Sequence, residues 1–279
     1  MLNKTFFSLL AVTVAFGFAS CEKEAPQPAN LLVVNAAISS PVAPNPLPTA
    51  GPAFDLRWNG TLLRNNVVYG AATVSAGTPV TTITNPVLIS GAYSPVQAGT
   101  FGFNLALAGT SPGVNIYNRN ITLQEGKSYT AVTYDFTPLY KHVLMEDNLT
   151  PPAAGKAKVR VVHTVPREIF ASLGVPRLDT VDVVANTTQL YGARTFADVA
   201  RNSSLHNFIE VDSGSYRFTL RVAGTPGTSP QTGLLALLPT PPAAPLRLEA
   251  GKIYTIVARL QFLAAPNPPA PALTIVAHN

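Results

Sequence analysis

The chain has 279 residues, of which 47% are hydrophobic and 12% charged, with 19 glycines, 26 prolines and one cysteine. A charged fraction about half the usual ~25% leaves few Glu, Lys and Arg for the outer faces of helices, and a lone cysteine excludes both a disulfide scaffold and a cysteine-based metal cage. The net charge is +5, yet the arginines are spaced singly and no basic run occurs, so a nucleic-acid partner is not expected.

In chain order, Met1 to Cys21 comes first. It holds one cation, Lys4, then an almost uncharged run from Phe6 to Phe18, then Ala19-Ser20-Cys21. That order is the order of a secretory signal peptide, and the apolar run is too short for the roughly twenty residues that span a bilayer. Cys21 directly follows two small residues, and the segment resembles the bacterial lipobox, with Phe18 where lipoboxes usually carry leucine. The resemblance implies cleavage between Ser20 and Cys21 and acylation of Cys21. Glu22-Lys23-Glu24 then resembles the acidic stretch of surface-exported bacterial lipoproteins, and Ala25 to Ala29 reads as a stiff proline-bearing tether.

Beyond the tether, one ordered set of signals occurs twice. Leu31-Leu32-Val33-Val34-Asn35 is answered by Val159-Arg160-Val161-Val162-His163, and Phe54-Asp55-Leu56-Arg57-Trp58 by Val181-Asp182-Val183-Val184-Ala185. Tyr69-Gly70 is answered by Tyr191-Gly192, Gly99-Thr100-Phe101 by Gly214-Ser215-Tyr216, and Glu125-Gly126-Lys127-Ser128-Tyr129-Thr130 by Ala250-Gly251-Lys252-Ile253-Tyr254-Thr255. Period-two alternation runs through Phe101 to Leu107 and Arg217 to Val222, bounded by glycine and proline turns, as in half-buried strands. Residues 139–145 are expected to pair back on 129–134, and 272–277 on 254–260. Phe196 to Ser204 reads as a helical turn or a loop.

These signals predict an all-β chain: a signal peptide at 1–20, a lipidated tether at 21–29, and two tandem antiparallel Ig-like β-sandwich domains at 30–150 and 157–279, joined by a linker at 151–156. With Val159 to His163, Pro166, Val181-Asp182-Val183, Tyr191-Gly192, Gly251-Lys252 and Tyr254-Thr255 in view, the second copy resembles the family called domain of unknown function 4397. The resemblance is densest over 157–260 and thinner over 30–135. It implies a secreted or lipid-anchored bacterial protein and leaves the chemistry open.

Catalytic signals are sparse. His142, His163, His206 and His278 show no metal-binding spacing, and no nucleophile elbow, phosphate loop or dinucleotide motif is present. His163 reads as a strand-end corner residue, since Asn35 holds the matching place. Asp179 and Asp182, three apart on a strand, would face opposite ways. Trp58 is the one candidate ligand-binding residue, as a stacking platform for a sugar, although its strand parity with Phe54 and Leu56 favours the core. Asp179-Thr180-Val181 resembles a bacterial O-glycosylation acceptor. The expectation is therefore a non-catalytic envelope protein without cofactor or metal, at the outer membrane or cell surface, whose partners are the membrane through its acyl chains and an envelope protein or glycan. A glycan-binding surface lipoprotein and an envelope hydrolase are the alternatives.

Overall fold

The computed structural model describes residues 26–39, 49, 50, 52–70, 87–110, 113–136, 139–166, 180–224, 234–238, 245–261 and 270–279. Ser20, Cys21 and Asp179 lie outside the described residues. The first copy comprises β1 (Ala29–Asn35), β2 (Ile38–Ser39), β3 (Thr49–Ala50), β4 (Phe54–Trp58), β5 (Thr61–Val67), β6 (Val87–Ser90), β7 (Ser94–Val96), β8 (Gly99–Leu107), β9 (Asn115–Leu123), β10 (Ser128–Tyr134) and β11 (Lys141–Glu146). The second comprises β12 (Lys156–His163), β13 (Thr180–Ala185), β14 (Thr188–Thr195), β15 (Ile209–Asp212), β16 (Gly214–Tyr216), β17 (Phe218–Val222), β18 (Leu234–Leu238), β19 (Leu246–Leu248), β20 (Ile253–Gln261) and β21 (Ala270–Ala277). Two short 3₁₀ turns, Asp198–Ala200 and Ser203–His206, occupy the segment left open between helical turn and loop.

The duplication read from the sequence recurs in the order of the main sheets, while β2, β3 and β6 have no counterpart. One sheet of the first copy has the order β11-β10-β1-β7, and its counterpart has β21-β20-β12-β15; the other pair is β5-β4-β8-β9 against β14-β13-β17-β18. Registers match too, with Leu31 opposite Tyr129 and Val159 opposite Tyr254. The returns of β11 on β10 and of β21 on β20 form as expected. These two sheets depart from an all-antiparallel arrangement, because β1 runs parallel to β10 and β12 parallel to β20. A parallel pair sits well only where both faces are covered, and that condition is met here.

Three hydrophobic cores account for the covering. Leu31, Val33 and Ala131 of the first inner sheet pack on Phe54, Leu56, Trp58, Phe103 and Leu105 of the first outer sheet. Val159, Val161, Tyr254 and Ile256 pack likewise on Val183, Phe218 and Leu220. The alternate residues of the two inner sheets, Leu32, Val34, Val132 and Met145 against Val162, Val257 and Val276, form the third core, between the copies. The two sandwiches are thus stacked into four layers, outer-inner-inner-outer, and the runs Leu31–Val34 and Val159–Val162 are continuously apolar or buried because each serves two cores. In addition, β6 of the first copy extends the second copy's inner sheet by pairing parallel to β21.

Register also corrects one internal match. Val67 and Arg194 hold equivalent places beside β4 and β13, which aligns Tyr69-Gly70 with Phe196-Ala197 rather than with Tyr191-Gly192. The backbone agrees: Gly70 N–H donates to the Asn35 carbonyl (2.6 Å), and Ala197 N–H to the His163 carbonyl (2.8 Å). Both residues have positive φ, 75° and 50°. Tyr191 instead donates its hydroxyl to the Val159 carbonyl, tying the two sheets of the second sandwich.

Candidate functional site

A connected group of chemistry-bearing side chains lies between the inner sheets. Asp147, just past β11, corresponds to His278, just past β21, since Glu146 pairs with Tyr129 as Ala277 pairs with Tyr254. Asp147 accepts from Arg160 Nη2 (2.5 Å), Thr130 Oγ1 (2.7 Å) and the Tyr93 hydroxyl (2.6 Å). Arg160 Nε donates to Thr255 Oγ1 (2.8 Å), which contacts His278 Nε2 (2.7 Å), and His278 Nδ1 contacts the Tyr93 oxygen (2.7 Å). With a neutral His278 carrying its proton on Nδ1, every bond in this ring has one donor and one acceptor, running Arg160, Thr255, His278, Tyr93, Asp147 and back to Arg160. The guanidinium also lies 4.4 Å from the centre of the Phe208 ring.

A hydroxyl, an imidazole and a carboxylate thus stand in the order a nucleophilic hydrolase uses, and His278 Nδ1 is 4.0 Å from Asp147. Geometry alone does not make a reaction centre of them. The side chains of Arg160, Asp147 and His278 have no exposed surface, Thr255 is fully buried, and its hydroxyl oxygen is already occupied by Arg160. The arrangement satisfies buried polar groups and joins the two copies.

A second buried contact lies at the other end of the same interface. Arg259 donates through Nε to Thr274 Oγ1 (2.6 Å) and through Nη1 to the Leu260 carbonyl (2.7 Å), with the Tyr69 ring 5.7 Å away. Burial pushes the Tyr69 phenol up to about 12, although Arg259 pulls the other way. A side chain at position 70 would collide with this guanidinium, whose Nε is 2.8 Å from where a Cβ would stand.

The candidate residues that fall among the described ones have these places. Trp58 is 4% exposed, with its ring 5.8 Å from Phe101 in an edge contact, so it belongs to the first core and offers no platform for a sugar. His163 is the corner residue expected: its Nδ1 accepts from Val165 N–H as Asn35 Oδ1 accepts from Ala37 N–H. His206 bonds the Val199 carbonyl, and His142 bonds the Tyr117 hydroxyl across the edge of the first sandwich. Asp182 accepts from the N–H groups of Ala193 and Gly224, so it too is structural. Thr180 opens β13 and is half-buried. Among the described residues no group of three potential metal ligands comes together.

Sequence reasoning missed Asp147 and Arg160. The signal was there: an arginine interrupting the apolar run Val159–Val162 demands a partner once that run is buried on both sides. An open cleft of about 540 Å³ on the first outer sheet, lined by Ala53, Asp55, Leu62, Asn65, Asn66, Leu107, Ala108 and Gly109, was also not foreseen. Asp55 there accepts from Asn66 N–H (2.9 Å), as Asp182 does from Ala193 N–H.

The buried histidines make a prediction about acid. Desolvation by burial holds both His163 and His278 down at about 4, against the pull of Asp198 on the first and Asp147 on the second. Unfolding returns them to about 6.5, so between pH 6.5 and 4 the unfolded chain binds protons that the folded chain refuses. Stability should therefore hold above pH 7 and fall as the pH drops towards 4, by up to roughly 3 kcal/mol per histidine. Urea unfolding at several pH values checks this. His163→Asn, which installs the first copy's own corner residue, should remove part of the slope; an unchanged slope would show that His163 does not contribute to it.

No curated protein matches the chain. A family match covers residues 45–168, which run from ahead of β4 through β12 and so include both Asp147 and Arg160. It falls mainly on the first copy, where the resemblance read from the sequence is the thinner one, and reaches only the first strand of the second copy. Residues 45–168 of this chain match the family described as a domain of unknown function (DUF4397).

Proposed function

We propose that the chain is a non-catalytic, lipid-anchored protein of the bacterial cell envelope, held at the outer membrane or cell surface by acyl chains on Cys21 and serving as a structural or interaction module. The observation that carries this reading is the chain's single cysteine, placed behind Ala19-Ser20 at the end of the apolar run Phe6–Phe18. Two or more acyl chains anchor stably where one anchors marginally, each buried methylene adding about 0.8 kcal/mol. The four-layer body supports a non-catalytic role, because all four histidines already serve hydrogen bonds of the fold. The burial of Trp58 removes the residue on which a glycan-binding role leaned, and the cleft over Asp55 has no aromatic lining.

Cys21→Ser tests the anchor. The parent protein should partition into the detergent phase and take up a clickable fatty-acid label, whereas the variant should lose the label and become soluble. A variant that stays with the membrane, or a parent that takes up no label, would refute lipid anchoring.

A further inference from the structure

The order of contacts along the stacked inner sheets has a consequence for how the body meets the membrane. The chain enters the fold at Pro28, whose carbonyl accepts from Gly126 N–H (3.2 Å) in the turn between β9 and β10, and Asn30 N–H donates to the Lys127 carbonyl (2.8 Å). Seven chain steps lead from Cys21 to Pro28, a reach of at most about 25 Å when fully extended. The end of the first sandwich at which β1 begins therefore stays close to any bilayer that holds Cys21.

The second sandwich shares that end. Near the starts of the inner strands, Asp147, whose N–H donates to the Ser128 carbonyl, meets Arg160 of β12 and, through Tyr93, His278 beside the start of β20. Near their finishes, Tyr69-Gly70, bonded to Asn35 at the end of β1, meets Arg259 near the end of β20. Tyr134, the last residue of β10, packs on Phe196, whose neighbour Ala197 bonds His163 at the end of β12. Start meets start and finish meets finish, so the copies lie side by side rather than end to end.

The outer hairpins follow from the same contacts. Asn35 Nδ2 donates to the carbonyls of Pro52 and Val67, which puts the open end of the β4–β5 hairpin at the finish of β1 and its Asn59-Gly60 turn at the start. Ala197 does the same for the β13–β14 hairpin and its Asn186-Thr187 turn. The cleft over Asp55, with Ala53 and Gly109, lies at the opposite end. With strands of seven to nine residues, the two ends are about 25 to 30 Å apart.

We infer that the protein stands on the bilayer on the end where β1 and β12 both begin, with its two copies side by side and the Asp55 cleft facing away from the membrane. This rests on the anchoring reading above. Electrostatic attraction does not set the orientation, since the lysines of the near end are engaged: Lys127 with Glu146 (2.8 Å), Lys156 with Asp212 (2.7 Å), Lys158 with the Thr150 carbonyl and Lys252 with the Asn279 carbonyl.

Because acylation would leave no free thiol, fluorophores can be placed on introduced cysteines of the lipidated full chain. Thr61→Cys and Thr188→Cys report on the near end of each copy, Leu139→Cys and Ala200→Cys on the far end; all four positions are exposed. In vesicles of neutral phospholipid doped with head-group spin-labelled lipid, quenching should be several times stronger at 61 and 188 than at 139 and 200, at low and high salt alike. Equal quenching at all four positions, or quenching at 61 without 188, would overturn the orientation while leaving the anchor intact. Protein that neither floats with the vesicles nor carries acyl mass would instead overturn the anchor, and the orientation with it.

Discussion

Asp147→Leu should destabilise the chain by about 3–5 kcal/mol, the usual cost of removing one partner from a buried ion pair. The substitution leaves the Arg160 guanidinium charged and fully buried, and deprives Thr130 and Tyr93 of their acceptor. Adding Arg160→Leu should recover much of the loss, since replacing both members of such a pair by apolar groups is often close to neutral. Leucine is also what the first copy carries at the matching position, Leu32. Urea unfolding of the parent, both single variants and the double variant completes the cycle; a single variant within about 1 kcal/mol of the parent would mean that the ring does not hold the copies together. The same reasoning predicts one cooperative transition for the whole chain, because neither inner sheet can shed its partner without exposing the third core.

The pair also explains where the charge sits. Facing positions of the inner sheets read Leu32, Tyr134, Val143 and Asp147 in the first copy, and Arg160, Arg259, Thr274 and His278 in the second. Two first-copy faces would bury two Asp147 carboxylates without a cation, and two second-copy faces would bury two Arg160 guanidiniums without an acid. Only the mixed pairing satisfies both, so pairing of like copies is disfavoured by charge as well as by linkage.

Trp58→Ala should cost about 3–5 kcal/mol, as truncations of buried large aromatics do. The indole fills the first core beside Leu56, Phe101 and Phe103, so its truncation would open a cavity there. Its Nε1 finds no partner in the structure, so an apolar replacement of similar volume loses no hydrogen bond; Trp58→Phe should be much milder than Trp58→Ala. Thermal unfolding ranks the variants, and the parent's only tryptophan should emit as a buried indole that iodide quenches poorly. Ready quenching in the folded protein would return Trp58 to the surface and reopen a stacking role.

The sequence by itself determined the fold class, the repeated order of strands and the inward-facing strand residues, because each follows from local period and turn chemistry that a chain displays without its partners. It also marked His163 as a corner residue, since the second copy served as an internal control on the first. The match of Tyr69-Gly70 with Tyr191-Gly192 misled because identical letters can fall on different sides of a β-bulge, and only register distinguishes them. Side-by-side stacking, the strand β6 lent by one copy to the other, and the ring around Arg160 and Asp147 belong to the tertiary structure alone. The two residues of that pair lie on opposite sides of the linker and correspond to unlike residues in the other copy. Neither repetition nor period marks such a pair; what creates it is the loss of water between two sheets, which obliges a charge stranded there to find its complement.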